Sequence, residues 1–207
     1  MQNLLQAIAF LTRIPVGRLL TDNIRLEPAA LPWYPCVGLL LAAMLYGFAN
    51  LLPNQTPDFV GGALLLLVFT WLTGALHLDG VADSMDAFMG AHANPERALE
   101  IMKDPRIGAM GTVALVLALI LKFVLFSALW SLQLEALFAA LVLARANVLL
   151  LFYFTPYVRT QGSADNFKES LSLATLSTSL VTAVLFLSWL PWLPLVLSIA
   201  SCAVILL

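Results

Sequence analysis

The chain has 207 residues, 61% of them hydrophobic and 11% charged, with a mean hydropathy of +0.95 and a formal net charge of −2. Soluble domains of this size carry about 25% charged residues, so the composition excludes an ordinary soluble domain and describes a chain solvated mainly by lipid. The acidic balance, with a pI of about 5.6, argues against a nucleic-acid partner, which calls for a basic footprint.

The N-terminal stretch MQNLLQAIAFLTRIPVGR has no basic residue ahead of its apolar run and no small-residue cleavage site, so a cleaved signal peptide is not expected. Apolar residues at 4, 5, 8 and 11 suit an amphipathic helix. The segment 1–28 therefore reads as interfacial, with Arg13 and Arg18 near lipid headgroups. A helix needs about 20 apolar residues to cross a ~30 Å hydrocarbon core. Candidate spans occupy 31–52, 59–76, 109–131, 135–154, 174–190 and 192–207. Pro53 and Pro57 punctuate the first connection, and Ser131, Leu132 and Gln133 the second. Pro191 and Pro194 divide the last apolar region, which reads as two spans or as one kinked element. Cys36 and Cys202 lie in apolar runs, with neither disulfide nor zinc spacing. The expected fold is all-α: a polytopic membrane helix bundle with about five to six transmembrane helices, forming one integral membrane domain over 1–207.

Charge sets the expected sidedness. Arg13, Arg18 and Arg25 precede the first span; Arg97, Lys103 and Arg106 follow the second; Arg159 and Lys168 follow the fourth. The alternate connections, 53–58 and 132–134, contain no Lys or Arg. The positive-inside rule then puts the N-terminus and both polar loops in the cytoplasm. Lys122 and Arg145 fall within spans, where a charge costs at least about 2.5–3.5 kcal/mol on insertion scales. Snorkelling towards an interface is one reading of both, and suits Lys122 better than the more central Arg145; the alternative is that Arg145 faces the bundle interior and meets an anion.

The loop 77–108 holds six of the twelve acids: Asp79, Asp83, Asp86, Glu96, Glu100 and Asp104. At i, i+4 and i+7, the three aspartates share one helical face and repel one another unless a cation sits among them. A second short helix is expected with Asn94 as cap, Pro95 at its first position and Glu96 at the positive end of its dipole. Pro105 marks Asp104 as its stop, and Arg97, Glu100 and Asp104 would then share a face. Two acidic faces joined by a loop suit Mg²⁺, which prefers oxygen ligands and takes one or two carboxylates, waters and substrate phosphates. Arg97, Lys103 and Arg106 supply cations for phosphate. Metal plus cationic clamps is the inventory of phosphoryl transfer. His77 is a candidate ligand or acid–base group, with packing or capping as its alternative; His92 reads as exposed. Gly80, beside Asp79, permits close approach by a bulky ligand. A merely solvated acidic face is the alternative for the whole loop.

FLTRIPV at 10–16, HLDGVADSMDAFMG at 77–90 and RALEIMKDPRIGAMG at 97–111 closely resemble the cobalamin-5′-phosphate synthase family, also called adenosylcobinamide-GDP ribazoletransferases. ARANVLLLFY at 144–153 and DNFKESLS at 165–172 look like two further family segments. The resemblance implies an integral enzyme of the cell inner membrane that uses Mg²⁺ at a late step of vitamin B12 assembly. Such enzymes join adenosylcobinamide-GDP to α-ribazole or its 5′-phosphate and release GMP. By matching position, it implies metal binding by Asp79, Asp83 and Asp104. Asp86 would be a further ligand or the base that orients the attacking hydroxyl. Arg106 and Lys103 would hold the pyrophosphate, and Arg145 would reach phosphate from the bundle side.

Family members generally continue to a glycine-rich G-G-x-T-G-D segment, and this chain stops at Leu207 without it, which reads as a truncated form or an incomplete last helix; if that segment contributes to the site, the expectation is metal binding with poor turnover. The D-G-x-x-D core is also similar to that of CDP-alcohol phosphotransferases, although Asp83 stands where their motif has alanine–arginine. A small polytopic transporter and a non-catalytic membrane subunit are the readings in other classes. A transporter would carry its polar groups near the midplane, whereas this cluster sits at a span end. The sequence is compatible with a homo-oligomer and does not specify one.

Overall fold

Every regular element among the described residues of the computed structural model (2–20, 28–155 and 177) is helical. Helix α1 spans Gln2–Leu11, and short 3₁₀ turns follow at Val16–Leu19 and Pro28–Trp33. The longer helices are α2 (Tyr34–Asn50), α3 (Asp58–Thr73), α4 (Leu76–Gly90), α5 (Pro95–Ile101), α6 (Ala109–Leu132) and α7 (Ala136–Phe154). The all-helical membrane architecture expected from composition is the one observed.

Among the described residues, three elements are long and apolar enough to cross a bilayer: Pro28–Asn50, Ala109–Leu132 and Ala136–Phe154. The expected crossing at 59–76 takes a different form. Helix α3 has 16 residues, about 24 Å at 1.5 Å per residue, short of a ~30 Å core. It qualifies only jointly with α4, from which it is bent by 87°. The cause is local. Gly74 (φ 66°) and Ala75 (φ 61°) are both left-handed, and their amides donate to Trp71 O (3.3 Å) and Thr70 O (3.2 Å). That pairing is a Schellman cap, which ends a helix at a left-handed glycine. The candidate spans 174–190 and 192–207 lie outside the described residues.

The bundle is built from two close pairs, α2 on α7 and α3 on α6, with α4 laid on α6 and α5 on α4. Apolar side chains gain little from leaving lipid for one another, so membrane helices associate through close packing at small residues. Gly38 and Gly62 supply it. A Cβ on Gly38 would lie 2.8 Å from the Leu141 carbonyl carbon, and one on Gly62 2.6 Å from the Ser127 amide nitrogen. Leu41, Leu45, Leu65, Phe69, Leu137 and Leu149 belong to one continuous core. Helix α6 leaves Val113, Val116, Leu117 and Ile120 exposed, as befits a lipid-bathed face. Helix α1 packs through Ala7, Ile8 and Leu11 on the same core.

Candidate functional site

Asp79, Asp83 and Asp86 all stand on α4, as their spacing predicts. Asp79 is exposed, while Asp83 and Asp86 are half-buried. Asp79 and Asp83 are one turn apart, which puts their Cβ atoms about 5–6 Å from each other. Between them Gly80 is exposed, and a Cβ added there would meet nothing within 4 Å. The acidic face therefore opens onto free surface.

Asp86 is engaged differently. Its Oδ2 accepts from the Gly108 amide at 2.6 Å and its Oδ1 from the Gly111 amide at 2.7 Å. Those two residues are the N-cap and third position of α6, so the carboxylate satisfies orphan amides at the positive end of that helix. The approach demands glycine. A Cβ at Gly108 would lie 2.8 Å from Asp86 Cγ, and one at Gly111 2.8 Å from the Ala82 carbonyl oxygen. The expectation that Asp86 is a ligand or base meets a carboxylate with both oxygens already committed to holding α4 over the start of α6.

Asp104 also departs from its expected place. Helix α5 ends at Ile101, three residues before Asp104, so Arg97, Glu100 and Asp104 do not form one helical face. Asn94 caps α5 as predicted: its Oδ1 accepts from the Glu96 and Arg97 amides at 3.0 and 3.1 Å. Beyond the helix, Asp104 Oδ1 accepts the Arg106 amide at 3.0 Å, and Oδ2 accepts from Arg106 Nη2 at 2.7 Å. This guanidinium and amide hold the Asp104 carboxyl down to about 2 and raise the Arg106 pKa in return. Arg97 pairs with Glu100 at 2.9 Å. Both exposed arginines thus rest on neighbouring carboxylates, whereas Lys103 is exposed without such a pair among the described residues. His92 is exposed, as expected, with a left-handed backbone (φ 48°).

Among the described residues, no three His, Cys, Asp or Glu side chains converge as a metal-binding group. Of the expected ligand set of Asp79, Asp83, Asp104 and Asp86, Asp104 is turned to Arg106 and Asp86 to α6. Asp79, exposed, and Asp83, half-buried, stand one turn apart on α4. Hard oxygen donors in that number suit Mg²⁺, which completes its shell with water and phosphate oxygens.

The bundle interior holds a second polar group. Lys122 is 8% exposed, so the snorkelling reading is corrected: its side chain stays inside. Its Nζ lies 5.8 Å from the Phe69 ring centroid, and the Arg145 guanidinium carbon stands at the same distance from that ring. The His77 ring lies 5.2 Å from Phe69, centroid to centroid, and its Nε2 is buried without a hydrogen-bond partner. A cation over an aromatic face gains about 0.5–2 kcal/mol, less than the several kcal/mol that desolvating an ion costs. Phe69 alone therefore does not compensate a charged Lys122. Sequence reading missed this association because α6 is apolar all round, so hydropathy does not reveal which face meets protein. It also missed the clamp on α6, for which the G-A-M-G spacing at 108–111 was the available signal.

The family model described as cobalamin-5-phosphate synthase matches residues 3–207. The chain belongs to the cobalamin-5-phosphate synthase family. It is 44% identical over 187 residues to the adenosylcobinamide-GDP ribazoletransferase of Stutzerimonas stutzeri, covering 88% of this chain and 76% of that one. The protein of the same name from Alkalilimnicola ehrlichii is 42% identical over 191 residues, 90% of this chain and 74% of that one. The Ectopseudomonas mendocina protein is 41% identical over 199 residues, 94% and 81% of the two chains. No solved structure matches. A transferase of cobalamin biosynthesis is the class into which these relatives put the chain.

Proposed function

We propose that this protein transfers the adenosylcobinamide-phosphate group from adenosylcobinamide-GDP to α-ribazole or α-ribazole 5′-phosphate, with release of GMP. The observation that carries the reading is its likeness, at 41–44% identity over most of its length, to proteins named for that reaction. The carboxylate pair one turn apart on α4 supports where the chemistry occurs. A ribazole hydroxyl oxygen attacks the cobinamide-linked phosphorus of the pyrophosphate. The new P–O bond forms as the bond to the bridging oxygen breaks, and that oxygen departs with GMP. Asp79 and Asp83 would hold Mg²⁺. When bound, the ion neutralises pyrophosphate oxygens and polarises the phosphorus.

The chain's own residues do the rest. Asp83, half-buried on the acidic face, is the candidate to orient the hydroxyl and accept its proton. Asp86 positions: it fixes α4, and with it the carboxylate pair, against α6. The space beside Gly80 admits a bulky corrinoid. Lys103 meets phosphate oxygens directly, and Arg106 does so by exchanging its Asp104 partner for substrate. The positive-inside pattern supports a cytoplasmic position for this face, with the protein in the cell inner membrane.

GMP release from adenosylcobinamide-GDP by the purified protein tests the proposal. Release that needs both Mg²⁺ and α-ribazole or its 5′-phosphate is expected. Binding of these compounds with no GMP formed under any metal condition would discard it in favour of a transporter or a non-catalytic subunit.

A further inference from the structure

Two polar groups that this reaction scheme leaves unused both pack near the Phe69 ring. Lys122 is 8% exposed and has no hydrogen bond or ion-pair partner among the described residues, only the face of Phe69 at 5.8 Å. Nε2 of His77 is buried against the same Phe69 and is likewise without a hydrogen-bond partner. The Arg145 guanidinium carbon, also 5.8 Å from that ring, adds positive charge to the neighbourhood. This group is not an extension of the acidic face. His77 precedes Asp83 by six residues on α4, which at 3.6 residues per turn puts the two about 120° apart around the helix. Around the Phe69 ring, then, gathers a positively charged group with no carboxylate paired to Lys122 among the described residues, on a different side of α4 from the place suited to a metal.

An ammonium and an N–H donor enclosed in apolar surroundings complement a phosphate oxyanion, which accepts several charge-assisted hydrogen bonds. We propose that Lys122 and His77 form an interior phosphate subsite, occupied by a phosphate group of a substrate and distinct from the carboxylate pair that would hold the metal. Lys122 supplies the charge and up to three donors, and His77 supplies Nε2–H. The inference rests on the phosphotransfer reading above, because that reaction offers phosphate from two sources: the pyrophosphate of the donor and the 5′-phosphate of a phosphorylated acceptor.

The test is equilibrium binding to the full chain in lipid nanodiscs, with α-ribazole, α-ribazole 5′-phosphate and adenosylcobinamide-GDP as separate probes. Lys122→Met keeps the apolar stem and removes the charge. It is expected to weaken binding of a phosphate-bearing probe at least roughly tenfold while leaving α-ribazole unchanged, and Lys122→Arg should restore most of the loss. A loss confined to α-ribazole 5′-phosphate assigns the subsite to the acceptor, and a loss confined to adenosylcobinamide-GDP assigns it to the donor. His77→Gln, which removes the imidazole, should act on the same probe and guards against a Lys122 variant that fails to fold. Wild-type affinity for all three probes in Lys122→Met and His77→Gln would overturn the subsite alone. A wild-type protein that binds none of the probes and releases no GMP would overturn the reaction reading with it.

Discussion

Replacing Gly111 with alanine isolates the clamp between α4 and α6. The new methyl would lie 2.8 Å from the Ala82 carbonyl oxygen and 2.8 Å from Asp86 Cγ, closer than carbon atoms approach either. The Ala82 contact is backbone, so α4 must lift away from α6, and the Asp86 hydrogen bonds at 2.6 and 2.7 Å break as it does. Hydrogen bonds to a charged group contribute about 1.5–3 kcal/mol each, so losing both costs about 3–6 kcal/mol. Alanine returns about 1 kcal/mol of helix propensity, leaving a net loss of about 2–5 kcal/mol. Denaturant unfolding in detergent measures it, with Gly47→Ala as the control, since a Cβ there meets nothing within 4 Å. Hydrogen exchange at the Gly108 and Gly111 amides should accelerate in Gly111→Ala and stay unchanged in Gly47→Ala. A Gly111→Ala protein within about 0.5 kcal/mol of wild type, the scatter of neutral surface substitutions, would refute the reasoning.

Asp83→Asn should abolish Mg²⁺-dependent GMP release while membrane insertion and helix content stay as they are, because one charge is lost and little volume; near-normal turnover would remove Asp83 from the metal pair. Asn94→Ala should cost about 1 kcal/mol, the usual value of a helix N-cap, and should fray α5 first, as read from exchange at the Glu96 and Arg97 amides. Asp104 should titrate near 2 by carbon NMR. With its carboxyl below the ordinary value, its interaction with Arg106 is complete above pH about 4 and is lost only as pH falls through about 2. Any activity change between pH 5 and 8 must then come from other groups. A midpoint near 4 would show the Arg106 contact to be absent in solution.

Local chemistry was legible from residues alone wherever neighbours in sequence decide it. Asn94 and Pro95 announce α5, and the spacing of Asp79, Asp83 and Asp86 declares one helix bearing three aspartates. What escaped depends on partners far along the chain. Spacing makes Asp79, Asp83 and Asp86 equivalent, and only folding brings the Gly108 and Gly111 amides, more than twenty residues later, onto the last of them. Asp104 was drawn into a helical face because periodicity continues past Ile101, whereas the Arg106 fork two residues on captures its carboxylate. Lys122 reads as a snorkelling lysine in a uniformly apolar helix; the packing of α3 on that side of α6 is what encloses it. The family likeness was carried by motif order and survives all three corrections, since it never depended on which oxygens face one another.

Divalent-ion binding, followed by the electron spin resonance of Mn²⁺ as a stand-in for Mg²⁺ in the presence of GDP, tests the central claim most directly. One ion per chain should bind in the wild-type protein and in Asp104→Asn, with affinity falling at least roughly tenfold in Asp79→Asn and in Asp83→Asn. Undiminished binding in both α4 variants, or binding lost only in Asp104→Asn, would contradict the account.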